Sequence, residues 1–137
     1  MKLEVPFEVL FGDADPTGWV YYAAVFHYVA QAEARLFREA GFSGYAIVQQ
    51  GYGLPRVHLE ADYRHPLKVH DRGVVRVWIG HLGNSSIRME FELIRDGEQE
   101  AAVTGRIVMV TVGLRAEQAV PILDSMRSGL MRFTESG

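Results

Sequence analysis

The chain of 137 residues contains no cysteine. That excludes disulfides, thiolate catalysis and cysteine-based zinc sites. It has no basic block or tail and a formal net charge of -3, so the electrostatic footprint of a nucleic-acid binder is missing. No apolar run approaches the roughly 20 residues that a membrane helix needs. The first residues, MKLEVPFEVLFGDADP, alternate apolar with polar side chains and lack the apolar core of a secretory signal. The expected location is the cytoplasm, with neither nucleic acid nor membrane as partner, and Asn84-Ser85-Ser86 then reads as a polar turn rather than a glycosylation acceptor. Common catalytic signatures are missing too. None of His27, His58, His65, His70 and His81 stands in an H-E-x-x-H or comparable ligand pair. No G-x-S-x-G occurs, and no helical pattern follows Gly51-Tyr52-Gly53 to make it a dinucleotide fingerprint. No metal and no cofactor is expected.

What remains is an ordinary globular composition, 48% apolar and 23% charged, in a length that suits one domain over residues 1–137. Residues 2–11 alternate, with Leu3, Val5, Phe7, Val9 and Phe11 on one face, as a half-buried strand does. The turn formers GDADPTG follow. From Trp19 to Ala40 apolar residues recur at helical spacing, and Gly41 ends the pattern. Its first half is apolar around most of its girth, which predicts a helix wrapped by a sheet or a partner. Residues 42–53 read as irregular. Four strands follow: one with Val57, Leu59, Ala61 and Tyr63 inward, one with Val75, Val77 and Ile79, one with Ile87, Met89, Phe91 and Leu93, and a last over 101–112 covered on both faces. Asp96-Gly97 predicts a hairpin between the last two. The stretch 115–133 reads as a short amphipathic helix on the outside. A long helix set against antiparallel strands is an α+β layer architecture. The order resembles the hotdog fold, in which the sheet curls around one central helix.

The segment FGDADPTGWVYYAAVFHY, residues 11–28, places Asp13 and Asp15 between a strand and the expected helix start. Helix N-termini offer unpaired N–H groups and a positive dipole end, which keep a carboxylate ionised and can hold a developing oxyanion. A nucleophile or base beside such a site suits acyl transfer. The same residues also suit a plain connection, with Asp15 capping the helix and Pro16 at its first position.

Phe11-Gly12-Asp13-Ala14-Asp15-Pro16, then Gly18, Val20 and Tyr22, resemble the signature of the 4-hydroxybenzoyl-CoA thioesterase family. Strand order and length are similar over nearly the whole chain. The resemblance implies a hydrolase of acyl-CoA thioesters, with Asp15 as the catalytic carboxylate, Tyr22 offering its backbone N–H to the thioester carbonyl, and Asp13 supporting the turn. Many relatives carry histidine where Tyr22 stands; tyrosine points to the aromatic-acyl branch, such as 4-hydroxybenzoyl-CoA. Relatives also tend to carry an acid at the position of Ala30. Here the nearest helix acid is Glu33, one turn later, expected to be buried and paired with Arg64 or with an arginine of another subunit. The family's pocket lies between subunits, so a homodimer, doubled to a homotetramer, is expected. Trp19, Phe26 and Tyr63 then join Tyr22 as candidate acyl-pocket residues. Arg64, with Lys68, flanks the preceding turn, and Asn84, Ser85, Ser86 and Arg88 stand where relatives hold CoA. Two other classes share the fold: an acyl-CoA binding domain without turnover, which an intact Asp15 argues against, and an enoyl-CoA hydratase, which would need a histidine beside the acid.

Overall fold

The computed structural model describes residues 1–135. Its strands are β1 (Leu3–Glu8), β2 (Tyr52–Gly53), β3 (Arg56–Tyr63), β4 (Arg72–Leu82), β5 (Ser86–Arg95), β6 (Val103–Val110), β7 (Val112–Gly113) and β8 (Gln118–Ala119). The helices are α1 (Val25–Glu39), α2 (Gly44–Gln49) and α3 (Asp124–Met131). Five strands form one antiparallel sheet in the order β1-β4-β5-β6-β3, and β2, β7 and β8 form a small second sheet. Period-2 alternation explains which side of the large sheet is dry. Val75, Val77, Ile79, Ile87, Met89, Phe91, Leu93, Ile107 and Met109 point inward and are buried against Val25, Val29, Ala32 and Leu36 of α1. Each such side chain contributes about 1.5–3 kcal/mol on leaving water. The opposite face carries ion pairs between strands, among them Glu4–Arg76–Glu92 and Arg106 between Glu60 and Glu90. The architecture is an α+β hotdog, a sheet around one long helix.

The helix stops where expected. Gly41 takes φ 98°, its N–H bonds Arg38 O, and the N–H of Phe42 bonds Phe37 O. The rings of Phe37 and Phe42 stack at 4.7 Å over this Schellman turn. Its start differs. A 3-10 turn over Tyr22–Ala24 leads into α1 at Val25, and Trp19 lies outside the helix. Trp19 pairs with Lys68 and Val20 with Ala14 as isolated β-bridges, so the apolar residues from 19 to 21 belong to an extended segment rather than a first helical turn. Phe11 also leaves its expected row: β1 ends at Glu8, and Phe11 opens a 3-10 turn and is 84% exposed.

Residues 42–53 are more ordered than their composition implies, since Ser43 caps α2 by accepting the Ala46 N–H at 3.0 Å. The tail helix α3 is shorter than 115–133, and Met126, Leu130 and Phe133 are buried under it. Between Asp96-Gly97 and β6 the chain takes extra residues before pairing resumes, so the turn is where expected and the strand begins two residues late. Strand β3 is the largest departure. Val57, Leu59 and Tyr63, expected to face the core, are 60%, 50% and 45% exposed on an unpaired sheet edge.

Candidate active site

The loop between β1 and α1 is tied down at several points. Val9 exchanges backbone bonds with the 70–71 segment. The Asp13 carboxylate accepts the Leu10 N–H at 3.1 Å and the Tyr28 hydroxyl at 2.8 Å, while the Asp13 carbonyl accepts the Tyr21 N–H at 2.7 Å. Burial, helped by the Asp13 bond, raises the Tyr28 phenol well above its ordinary value, so it remains a donor. Asp13 thus joins the loop, α1 and the approach to the 3-10 turn.

Asp15 stands in a tight turn, not at a helix cap. Its carbonyl accepts the Gly18 N–H at 3.0 Å and its own N–H bonds Trp19 O at 2.9 Å. Pro16 occupies the second turn position, where its fixed φ suits a type I or II turn, and Gly18 takes φ 83°. The Asp15 Oδ1 accepts the Thr17 N–H at 2.8 Å and the Thr17 hydroxyl at 2.5 Å. These two bonds, the hydroxyl first, hold the carboxyl below the ordinary aspartate value against a smaller desolvation effect. Oδ2 has no partner among the described residues. The Val20 N–H bonds Leu67 O at 2.7 Å and the Val69 N–H bonds Gly18 O at 3.1 Å, which pins the turn to the segment after β3.

Tyr22 opens the 3-10 turn, and its N–H has no acceptor among the described residues. Its carbonyl accepts the Tyr63 hydroxyl at 2.6 Å. Burial raises the Tyr63 phenol as well, keeping it protonated. Trp19, Val20, Tyr63, Arg64, His65, Pro66, Leu67 and Val103 line a cleft of about 240 Å³. Arg64 bonds only the Thr104 hydroxyl through its side chain, at 3.4 Å, and neither Arg64 nor Lys68 pairs with a carboxylate among the described residues. Phe26 lies on the core side, its ring edge-on to Phe91 at 6.1 Å.

The chain brings Asp15, Trp19, Tyr22, Tyr63 and Arg64 to one end of the sheet. It does not bring Asn84, Ser85, Ser86 and Arg88 there. They sit at the β4–β5 hairpin, and β4 alone spans about 30 Å from the loop end to that turn. The carbonyls of Asn84 and Ser85 accept the N–H groups of Ile122 and Thr111 at 2.9 and 2.8 Å, and Arg127 caps Gly83 O at 2.6 Å. Arg88 pairs with Glu90 at 2.8 Å. Glu33 is buried as expected, but its partner is Arg56 at the start of β3, not Arg64. Arg64 lies at the opposite end of that strand, so no side chain spans the gap.

In the sequence Thr17 stands out only as one of the turn formers GDADPTG and not as a partner of Asp15, although an Asp followed two residues later by threonine is itself the signal for such a bond. The Tyr63–Tyr22 bond joins residues far apart in sequence and leaves no local trace.

A carboxylate with one oxygen held and one open, in the same loop as an N–H with no acceptor among the described residues, is equipment for acyl transfer, and relatives give the class. The model of the thioesterase-like superfamily matches residues 9–130. The chain belongs to that superfamily and is a thioester hydrolase. It is 27% identical over 125 residues to a 1,4-dihydroxy-2-naphthoyl-CoA hydrolase of Synechococcus sp. (strain CC9605), covering 87% of this chain and 84% of that protein. The structure of a 1,4-dihydroxy-2-naphthoyl-CoA thioesterase from Synechocystis matches with a TM-score of 0.89 at 18% identity, covering 96% of each chain. That of a gentisyl-coenzyme A thioesterase matches with a TM-score of 0.80 at 26% identity, covering 91% of this chain and 99% of the other. Among the described residues no helix is long and apolar enough to cross a membrane.

Proposed function

We propose that the chain hydrolyses the CoA thioester of a hydroxylated aromatic acid in the cytoplasm, with Asp15 as the catalytic carboxylate. The observation that carries this reading is the open Oδ2 of an ionised Asp15, in the same loop as an unbonded Tyr22 N–H. The thioester carbonyl accepts the Tyr22 N–H, which stabilises the oxyanion as the carbon becomes tetrahedral. Oδ2 then follows one of two routes. As nucleophile it bonds the carbonyl carbon and expels the CoA thiolate, which takes a proton from water; a second water opens the resulting anhydride to free acid and Asp15. As general base it removes a proton from the attacking water and passes it to the departing thiolate. The exposed faces of Trp19 and Tyr22 suit a flat acyl group, and Arg64 and Lys68 supply unpaired cations for phosphate.

The substrate class rests on two of the three relatives named for hydroxylated aryl-CoA esters, those at 27% and 26% identity. It includes 4-hydroxybenzoyl-CoA, the ester named in the family whose signature the motif from Phe11 to Tyr22 resembles. We read the functional form as a homodimer joined along β3, where exposed Val57, Leu59 and Tyr63 line an open edge. Pairing of two antiparallel β3 strands would set Arg56 of one beside Tyr63 of the other and carry the second copy's Ser86 and Arg88 toward the Asp15 turn. Two dimers would make the homotetramer.

The test is a kinetic panel of 1,4-dihydroxy-2-naphthoyl-, gentisyl-, 4-hydroxybenzoyl-, benzoyl- and short-chain acyl-CoA with the wild type and Asp15→Asn. Hydroxylated aryl esters should have the highest kcat/KM. Asp15→Asn should bind them with unchanged affinity and lose at least ~10²-fold in kcat, the usual cost of removing a general base. Hydrolysis at the wild-type rate by Asp15→Asn would refute the role given to the carboxylate.

A further inference from the structure

The geometry points to Thr17 as a positioning residue that holds one oxygen of Asp15 and presents the other to the thioester. This rests on the reading of Asp15 as the catalytic carboxylate. Three bonds converge on the Thr17 side chain and amide. The hydroxyl accepts the Trp19 N–H at 3.2 Å and donates to Asp15 Oδ1 at 2.5 Å, and the Thr17 N–H reaches the same oxygen at 2.8 Å. A hydroxyl that accepts from an amide is polarised and becomes a better donor. The relay Trp19 N–H, Thr17 O–H, Asp15 Oδ1 therefore links the wall of the 240 Å³ cleft to the carboxylate that would act on its contents. With Oδ1 held twice, rotation of the carboxyl group is stopped, and Oδ2 alone carries a lone pair free to attack or to take a proton.

The titratable and charged groups around this turn come from three directions. Asp13 precedes it in the same loop, with its carboxylate bound to Leu10 N–H and the Tyr28 hydroxyl. Tyr21 and Tyr22 follow it. Arg64, His65 and Lys68 lie on the segment bridged to Trp19, and Tyr63 lines the same cleft. The depression of the Asp15 carboxyl comes first from the Thr17 hydroxyl and then from the Thr17 amide, so the sign of a substitution is defined. Removing the hydroxyl leaves the amide bond in place and moves the Asp15 midpoint upward, toward the ordinary value of 3.8.

Thr17→Val, which keeps the shape, Thr17→Ala and Thr17→Ser separate the roles. Each is assayed on the hydroxylated aryl-CoA that the wild type turns over best, and the Asp15 13Cγ resonance is titrated by NMR in the full chain. Thr17→Val and Thr17→Ala should lower kcat about tenfold, the scale of one charge-assisted hydrogen bond, with KM within twofold and the Asp15 midpoint raised. Thr17→Ser should match the wild type in rate and midpoint. A role confined to turn stability would lower the melting temperature and leave kcat and the Asp15 midpoint alone, and that result overturns the inference. Asp15→Asn keeps the two failures apart. If it is inactive while Thr17→Val and Thr17→Ala behave as wild type, only the role of Thr17 falls. If it is fully active, the catalytic reading beneath it falls as well.

Discussion

Around the proposed thioester site, side chains act through the backbone as well as through their own chemistry. Tyr63 is the clearest case. Its ring lines the cleft, but its hydroxyl ends on Tyr22 O, one peptide unit from the N–H proposed to receive the oxyanion. A bond of this kind contributes about 1 kcal/mol net. Tyr63→Phe should therefore keep the fold and the apolar contact and lower kcat roughly fivefold, with little change in KM; steady-state kinetics on the preferred ester measure both. An unchanged kcat would make Tyr63 a wall residue only. Asp15 stood out in the sequence as a candidate through its motif, and its turn was legible through Pro16, Thr17 and Gly18. The position of that turn relative to the helix was not, because Trp19 and Val20 fit helical spacing as well as they fit the short bridges they make. Tertiary pairing with Ala14 and Lys68 decided between the two.

At the scale of elements, the small residues carry as much information as the large ones. Helix α3 reaches the end of α1 because Gly129 has no side chain: a Cβ there would lie 1.8 Å from Ala40 O. Arg132 completes the junction by donating to Glu39 O at 2.8 Å, which satisfies a carbonyl at the end of α1. Gly129→Ala must push α3 away from the end of α1 and disturb the packing of Met126, Leu130 and Phe133, which are all buried. The expected loss is about 2–3 kcal/mol in urea unfolding, the scale of an overpacked core, with kcat untouched in the folded fraction. The amphipathic stripe of α3 was visible in the sequence, but its partner was not, since Gly129 reads locally as a helix breaker. The pair Glu33–Arg56 taught the same lesson: burial of the acid followed from its place on the apolar stripe of α1, whereas the choice of Arg56 over Arg64 required the direction of β3.

For the molecule as a whole, alternation set the inner and outer faces of β1, β4 and β5 correctly, whereas the last strand, expected to be covered on both faces, alternates buried Ile107 and Met109 with half-buried Val108 and Val110, and β3 departs further. Val57, Leu59 and Tyr63 alternate like core residues and yet meet solvent in the isolated chain, because a period-2 pattern says which side chains share a face and not what covers that face. The length of β4 adds a constraint, since the Asp15 turn and the Gly83–Ser86 hairpin lie at opposite ends of the sheet. If both serve one thioester, they come from different copies, and two crippled proteins can repair each other. Asp15→Asn alone should be inactive, and so should a chain with Asn84, Ser86 and Arg88 replaced by aspartates that repel phosphate. Unfolded together in equal amounts and refolded, they should regain about a quarter of wild-type activity, since half the dimers would be hybrids with one intact site each. Recovery confined to the mixture, with a dimer or tetramer mass by light scattering, is the expected outcome; a monomer mass, or no recovery from a mixture shown to contain hybrids, would assign the whole site to a single chain.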